Sequence, residues 1–222
     1  MPVSSPAQPF FSVVITTYNR KMLLKRALQS LIQQTQTDWE AIIIDDGSTD
    51  NTELEIKPFL KDERLQFIYQ KNTGYSLAKN SGIFLSKGKY ITFLDSDDEY
   101  LFNHLETREQ ILAQHPEVDF LYGGLSVIGN EYVPDRFDNH KLIHLDDCVI
   151  GGTFFIKKEL AFFLKGFHDI PMGSDAELFE RVGATGSVIQ KTSIPTYVYH
   201  RENPDSLTNL MIEKENRSLN KF

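Results

Sequence analysis

Four short apolar runs, at residues 11–16, 39–44, 65–69 and 90–94, are separated by three segments with helical spacing. This alternation constrains the chain more than any other feature. The first two runs are apolar at nearly consecutive positions, the pattern of strands covered on both faces. Strands joined through helices return to the same sheet in parallel, so the rhythm predicts an α/β fold: a Rossmann-like, mostly parallel sheet flanked by helices. The helical stripe at 20–34 is Leu24, Ala27, Leu28, Leu31 and Ile32, with Asn19 as its expected N-cap. Asp50 and Glu53 have capping-box spacing for a helix reaching about Leu60, which Pro58 would end early. Residues 75–86 read as a helix despite Gly82, and 103–114 as another.

The second half is less regular. Strands are expected at 118–122 and near 153–156, helices near 157–164 and 175–182, and β-like runs at 187–191 and 196–199, with a long polar stretch at 129–147. The organisation read from this is a flexible leader (1–10), a ligand-binding half (11–100), a smaller second region of the same domain (101–210) and a polar tail (211–222).

Composition excludes several classes. A chain of 222 residues with 41% hydrophobic residues can bury a sizeable core without cross-links. Its one cysteine, Cys148, allows no intrachain disulfide and no zinc site of several thiolates. Lys and Arg number 23 against 31 Asp and Glu, a net charge of -8, which argues against coating nucleic acid. No apolar run approaches the roughly 18–20 residues of a membrane span. Residues 1–9 lack the basic and apolar regions of a signal peptide, so a cytoplasmic protein is expected.

Ligands of open parallel sheets bind beyond the carboxyl ends of the strands. Three polar clusters fall there: Thr16-Thr17-Tyr18-Asn19, Asp45-Asp46-Gly47-Ser48 and Asp95-Ser96-Asp97-Asp98. Taken singly, Asp45–Ser48 is also what a turn and a helix start require. Together the last two clusters place five aspartates at strand ends, where they repel unless a cation or ligand donors relieve them. Mg²⁺ and Mn²⁺ both suit such oxygen ligands, and Mg²⁺ is commonly shared with phosphates.

These residues resemble the glycosyltransferase family 2 pattern of GT-A fold over roughly residues 11–208. The segments that carry the resemblance are residues 12–20, IIIDDGSTDNT (42–52), the block from Asn72 to Tyr100 that ends in a DxD element, GFHDIPMGSDAELFERV (166–182) and YHRENPDSLT (199–208). The resemblance implies an inverting, metal-dependent transfer of a sugar from a nucleoside-diphosphate-sugar, most simply a UDP-sugar, to an acceptor hydroxyl. It implies that Thr16, Tyr18 and Asp46 bind the base and that Asp95, beside Ser96, binds the ribose. It further implies that Asp97 holds the metal, with Asp98 adjacent and His200 near the metal and diphosphate, and that Asp175 is the general base. Lys79, to which the resemblance gives a part in holding the donor, stands where an arginine is more usual, Ser174 where a glutamate often precedes the base, and His168 where an acidic residue is common. Relatives of this kind build bacterial polysaccharide on saccharide or lipid-linked acceptors, so peripheral contact with the inner face of the membrane is an expectation. The short chain is read as a bare catalytic module.

The chemistry fits the residues. A metal on Asp97 neutralises the leaving diphosphate, Asp175 takes the acceptor's proton, and one base without a protein nucleophile implies inversion. Asp175 opens an amphipathic segment, and by itself it also reads as an ordinary first-turn helix residue. His104, His115, His140, His144 and His168 show no ligand spacing and read as surface or capping residues, and Phe154-Phe155 and Phe162-Phe163 read as core. Tyr132 and Phe137 are candidates for an acceptor loop. Two alternatives remain: a degenerate nucleotide-sugar-binding protein, and a haloacid-dehalogenase-like phosphatase. The latter's D-x-D follows the first strand and takes Thr or Val at the fifth position, where this chain has Glu99. A dinucleotide-binding reading fails for want of G-x-G-x-x-G after the first strand, and Lys87-Gly88-Lys89 lacks the rest of a phosphate loop.

Overall fold

The computed structural model describes residues 8–135, 141–171 and 173–203. The leader through residue 7, His140, Phe137 and the segment from 204 onward, including the tail, lie outside them. The alternation predicted for the first half is present: β1 (Phe11–Thr17), α1 (Lys21–Ile32), β2 (Trp39–Asp45), α2 (Thr52–Ile56), β3 (Leu65–Tyr69), α3 (Tyr75–Leu85) and β4 (Tyr90–Phe93). There follow β5 (Glu99–Tyr100), α4 (His104–Gln114), β6 (Phe120–Ile128), the hairpin β7 (Tyr132–Pro134) and β8 (Leu142–His144), β9 (Phe155–Lys157), α5 (Lys158–Phe163), α6 (Ser174–Ala184) and β10 (Ile189–His200).

One eight-stranded sheet runs β3-β2-β1-β4-β9-β6-β10-β5. β1 pairs in parallel with β2 and β4, and β2 with β3, while β9 is antiparallel to both of its neighbours and β5 is antiparallel to β10. The consecutive apolar residues of β1 are explained by burial on both faces. Phe11, Val13 and Ile15 pack with Leu24, Ala27, Leu28 and Leu31 of α1 and with Leu105 and Leu112 of α4. Val14 points to the other face, against Ile83 of α3 and Leu178 and Val182 of α6. Gly82, a poor helix former, is required in α3 because a Cβ there would overlap the Val14 side chain.

Several local expectations are corrected. Asn19 does not cap α1: Arg20 is the cap residue, and Asn19 takes a left-handed backbone (φ 53°). Its Oδ1 instead accepts from the Thr49 N–H at 2.7 Å, and its own N–H donates to Ser48 Oγ, stitching the β1 and β2 loops together. Asp50 forms no capping box, since Asn51 is the cap of the short α2, and Asp50 accepts from Thr52 Oγ1 and the Lys21 N–H. Pro58 leads a separate 3-10 turn at Phe59–Lys61, as its missing N–H allows. Phe154 and Phe155 are fully buried, but Phe162 and Phe163 are 41% and 73% exposed because the short α5 turns only Ala161 fully inward.

The runs expected at 187–191 and 196–199 form one strand, β10, broken by a large bulge. Between the pairs Thr192↔Gly123 and Tyr197↔Leu125, β10 advances five residues while β6 advances two. The fully buried Arg108 of α4 sits against this bulge, donating from Nη2 to the carbonyls of Gly123 (3.0 Å) and Ile194 (3.2 Å). Burial pulls its guanidinium down to about 10. His104, expected at the surface, is also buried; it stacks on Tyr100 and pairs through Nδ1 with Thr196 Oγ1 at 2.8 Å. His144 does cap, accepting from the Asp146 N–H at the start of a 3-10 turn.

Candidate active site

The carboxyl ends of β1, β2 and β4 bring the three polar clusters together. Thr17 lies opposite Asp45 in the β1–β2 ladder, and Asp46 N–H donates to the Thr17 carbonyl at 2.9 Å, so Thr16 and Tyr18 stand beside the aspartate turn. Tyr18 is half exposed at the rim, whereas Asp46 is buried. Both Asp46 carboxylate oxygens accept from the next loop: Oδ1 from Gln70 Nε2 (2.7 Å) and the Thr73 N–H (2.9 Å), Oδ2 from the Gly74 N–H (2.9 Å). Gly74 supplies the positive φ (90°) that this loop needs before α3, and Asn72 Nδ2 donates to the Asp46 carbonyl, so residues 72–74 are turn chemistry as expected.

The end of β4 divides its carboxylates among different partners. Asp95 pairs with Lys79 of α3 at 3.0 Å. Asp97 pairs with Arg20 at 2.9 Å, and its carbonyl accepts from Arg26 Nη2. Asp98 is turned fully inward, accepting from Tyr197 Oη (2.7 Å) and the His200 N–H (2.9 Å), while Ser96 is buried beside it. Burial, with Asp97 and Asp95 nearby, holds the Asp98 carboxyl well above the ordinary range. Burial also raises Asp97, against the pull of Arg20.

Asp175, in the first turn of α6, is partly buried and faces the same cluster. Its Oδ2 accepts from the Gly151 N–H at 2.9 Å, and its Oδ1 is buried with no hydrogen-bond partner. Burial raises its carboxyl above the usual range, opposed by Lys79 and reinforced by Asp95. Lys79 is 3% exposed; burial alone would lower its ammonium, but Asp95, Asp175 and Tyr75 hold it above the ordinary lysine value. The lysine therefore serves two carboxylates, one from each half of the sheet. Ser174, preceding Asp175, is hydrogen-bonded to the Tyr75 hydroxyl.

Asp97 is buried with Oδ2 on Arg20, and among the described residues no group of three or more His, Cys, Asp or Glu could hold a metal by itself. That fits a hard cation held by one carboxylate and completed by substrate phosphates and water, and not a cage made by protein alone. The His200 N–H donates to Asp98, and its ring faces Glu99 through Nε2 (2.8 Å) and Glu202 through Nδ1 (3.1 Å). Tyr197, Tyr75, Gly151, Arg20 and Arg26 were not singled out from sequence. Arg20 sits next to the Thr16–Asn19 motif and Gly151-Gly152 is a glycine pair before an apolar run, so those two carried a signal; Tyr197 carried none.

The mixed sheet with its acidic strand ends defines a protein of the GT-A class. Its fold is similar to that of solved structures. Staphylococcus aureus TarS in complex with UDP-GlcNAc superposes with a TM-score of 0.76 at 19% identity, over 89% of this chain and 60% of that one. The mannosyltransferase PcManGT of Pyrobaculum calidifontis, in complex with GDP-Man and Mn²⁺, gives 0.68 at 17%, over 88% and 60%. The family model described as "Glycosyl transferase family 2" matches residues 12–174, and the chain belongs to that family.

Curated relatives include the Escherichia coli UDP-Glc:alpha-D-GlcNAc-diphosphoundecaprenol beta-1,3-glucosyltransferase WfgD, 29% identical over 63% of this chain and 56% of that protein. Another is the glycosyltransferase GlyG of Streptococcus pneumoniae, 36% identical over 68% and 46%. The chain spans about half the length of these two relatives, and 15% of an uncharacterized glycosyltransferase of Rickettsia bellii that is 41% identical over 104 residues. The phosphatase alternative falls with the family assignment. Among the described residues no helix is long and apolar enough to cross a membrane.

Proposed function

We propose that this chain carries the catalytic centre of a metal-dependent, inverting glycosyltransferase that moves a sugar from a UDP-sugar to an acceptor hydroxyl in bacterial glycan synthesis. The observation that carries the reading is Asp175: a carboxylate with one oxygen fixed and the other buried without a partner, facing the strand-end aspartates across Lys79. A carboxylate whose proton affinity is raised by burial is a better proton acceptor than an exposed one. In this reading Thr16, Tyr18 and Asp46 form the base pocket, and Asp95 with Ser96 binds the ribose. Asp97 would hold the divalent cation, Mn²⁺ or Mg²⁺, which supplies Lewis-acid neutralisation of the leaving diphosphate. His200 stands at the diphosphate end, and Lys79, paired with Asp95, helps to hold the donor. WfgD's name specifies a lipid-linked acceptor; a saccharide or lipid-linked acceptor, met by a cytoplasmic protein at the inner face of the membrane, is the reading adopted here.

The test is calorimetric titration of UDP with and without Mn²⁺, on the wild type and Asp97→Ala. Manganese-dependent binding that disappears in the variant is expected. Absence of UDP binding under both conditions would refute the UDP-sugar reading.

A further inference from the structure

Between the hairpin and β9 the chain makes a 3-10 turn, Gly151–Thr153, of which the reading above uses only the Gly151 N–H. All three residues are buried. The turn is anchored to the sheet: Thr153 Oγ1 donates to the Ile150 carbonyl at 2.7 Å and accepts from the Gly123 N–H of β6 at 3.1 Å. Its two glycines touch opposite sides of the site. A Cβ on Gly151 would lie 2.6–2.7 Å from the Asp175 carboxylate, and a Cβ on Gly152 would overlap the Tyr197 ring and hydroxyl. Tyr197 is the residue that donates to Asp98. Gly151 has no left-handed backbone, so it is not glycine for conformational reasons; contact with the carboxylate is what excludes a side chain.

We infer that the Gly151–Gly152 turn is the positioning element of the reaction: Gly151 fixes the Asp175 carboxylate through its N–H, and Gly152 seats Tyr197, so that the base and the strand-end aspartates are held against one rigid turn. The inference rests on the reading of Asp175 as the base. In the step served, the acceptor hydroxyl oxygen bonds to the anomeric carbon and its proton passes to Asp175 Oδ1. The bond from the anomeric carbon to the diphosphate oxygen breaks, and its electron pair leaves on the nucleoside diphosphate. With Oδ2 held by Gly151, Oδ1 is the oxygen left to take the proton. Displacement of a reacting group by about 1 Å costs on the order of 100-fold in rate.

The experiment compares Gly151→Ala, Asp175→Asn and the double variant. Release of UDP from UDP-glucose and UDP-GlcNAc with Mn²⁺ is followed, with water in place of the acceptor. Gly151→Ala should lower kcat about 10- to 100-fold while the Kd for UDP and Mn²⁺ stays within about twofold, because the nucleotide pocket is untouched. In the Asp175→Asn background the same substitution should cost nothing further; a loss that persists there is structural and overturns the inference. Turnover of Gly151→Ala within about twofold of the parent overturns it as well. Full turnover in Asp175→Asn would instead refute the reading of Asp175 as the base.

A substrate-free readout is the Asp175 carboxyl signal in ¹³C NMR, identified by its loss in Asp175→Asn. Lys79 and Tyr75 from α3, Asp95 from the end of β4 and Ser174 all face this group and are unchanged by Gly151→Ala. Loss or distortion of the Gly151 N–H contact should raise the carboxyl's titration point, and an unmoved titration overturns the inference. Should Gly151→Ala fold poorly, Thr153→Val loosens the turn without adding bulk. It should give a smaller kcat loss, about 3- to 10-fold, again absent without Asp175.

Discussion

The two halves of the sheet deliver their site residues by different means. In the β1–β4 half each aspartate follows the end of a parallel strand, and groups of the same half meet most of them: Asp45 the Ser48 N–H, Asp46 the loop at 70–74, Asp95 Lys79 and Asp97 Arg20. In the β6–β10 half nothing arrives so simply. Tyr197 reaches Asp98 only beyond the bulge that Arg108 and His104 support, and Asp175 is aimed by a turn 24 residues away in sequence. A carboxylate on a strand end is placed by its strand. A group brought across the sheet needs a dedicated support, and single substitutions there should reach further.

The largest expected effect lies in the second half. Asp175→Asn should reduce UDP release by about 10²- to 10⁴-fold, the usual contribution of a positioned base, with UDP affinity unchanged. A loss of affinity instead would mean that the two halves are not separable. Next is Lys79→Met, which removes the cation shared by both halves. Breaking a buried ion pair costs about 3–5 kcal/mol; the lower end applies because Asp95 is 32% exposed, and urea unfolding measures it. Since the folded state raises the lysine, its contribution is complete below its ordinary value of 10.5 and is lost only as pH rises through the higher folded value. The deficit of the variant should therefore be constant across neutral pH.

Tyr197→Phe should cost about 1–2 kcal/mol by removing one of the Asp98 donors, and should weaken Mn²⁺-dependent UDP binding more than Arg64→Ala, whose Asp62 pair is remote from the site. Equal effects would remove the special status of the bulge. The smallest effect has the opposite sign. Asp175 binds its proton more tightly folded than unfolded, so it costs stability as pH rises from 3.8 through its folded value. Asp175→Asn should consequently melt a few degrees higher than the wild type near neutral pH, a gain on the order of the usual stability–function trade.

Legibility followed the same division. The alternation at 11–94, the β4 aspartates and the Asn72–Gly74 turn were readable because apolar spacing and turn residues act over a few positions. Asn19 and Asp50 were misread as caps because their side chains serve a neighbouring loop, which capping patterns do not encode. His104 and Arg108 look like surface residues of an amphipathic helix, yet the bulge offers them free carbonyls and a hydroxyl that make burial tolerable. His200 ends the expected strand, and the engagement of its ring by Glu99 and Glu202 joins segments that local pattern does not relate.

Sequence alone determined the fold class, the family and the positions of the acidic strand ends, since each depends on residues close together in the chain. Only tertiary structure decided that Lys79 serves both Asp95 and Asp175, that Asp98 turns inward to Tyr197, and that Gly151 aims the carboxylate of α6. Those contacts join segments 16 to 99 residues apart, and which partners meet is set by strand order and a bulge, which local pattern does not specify.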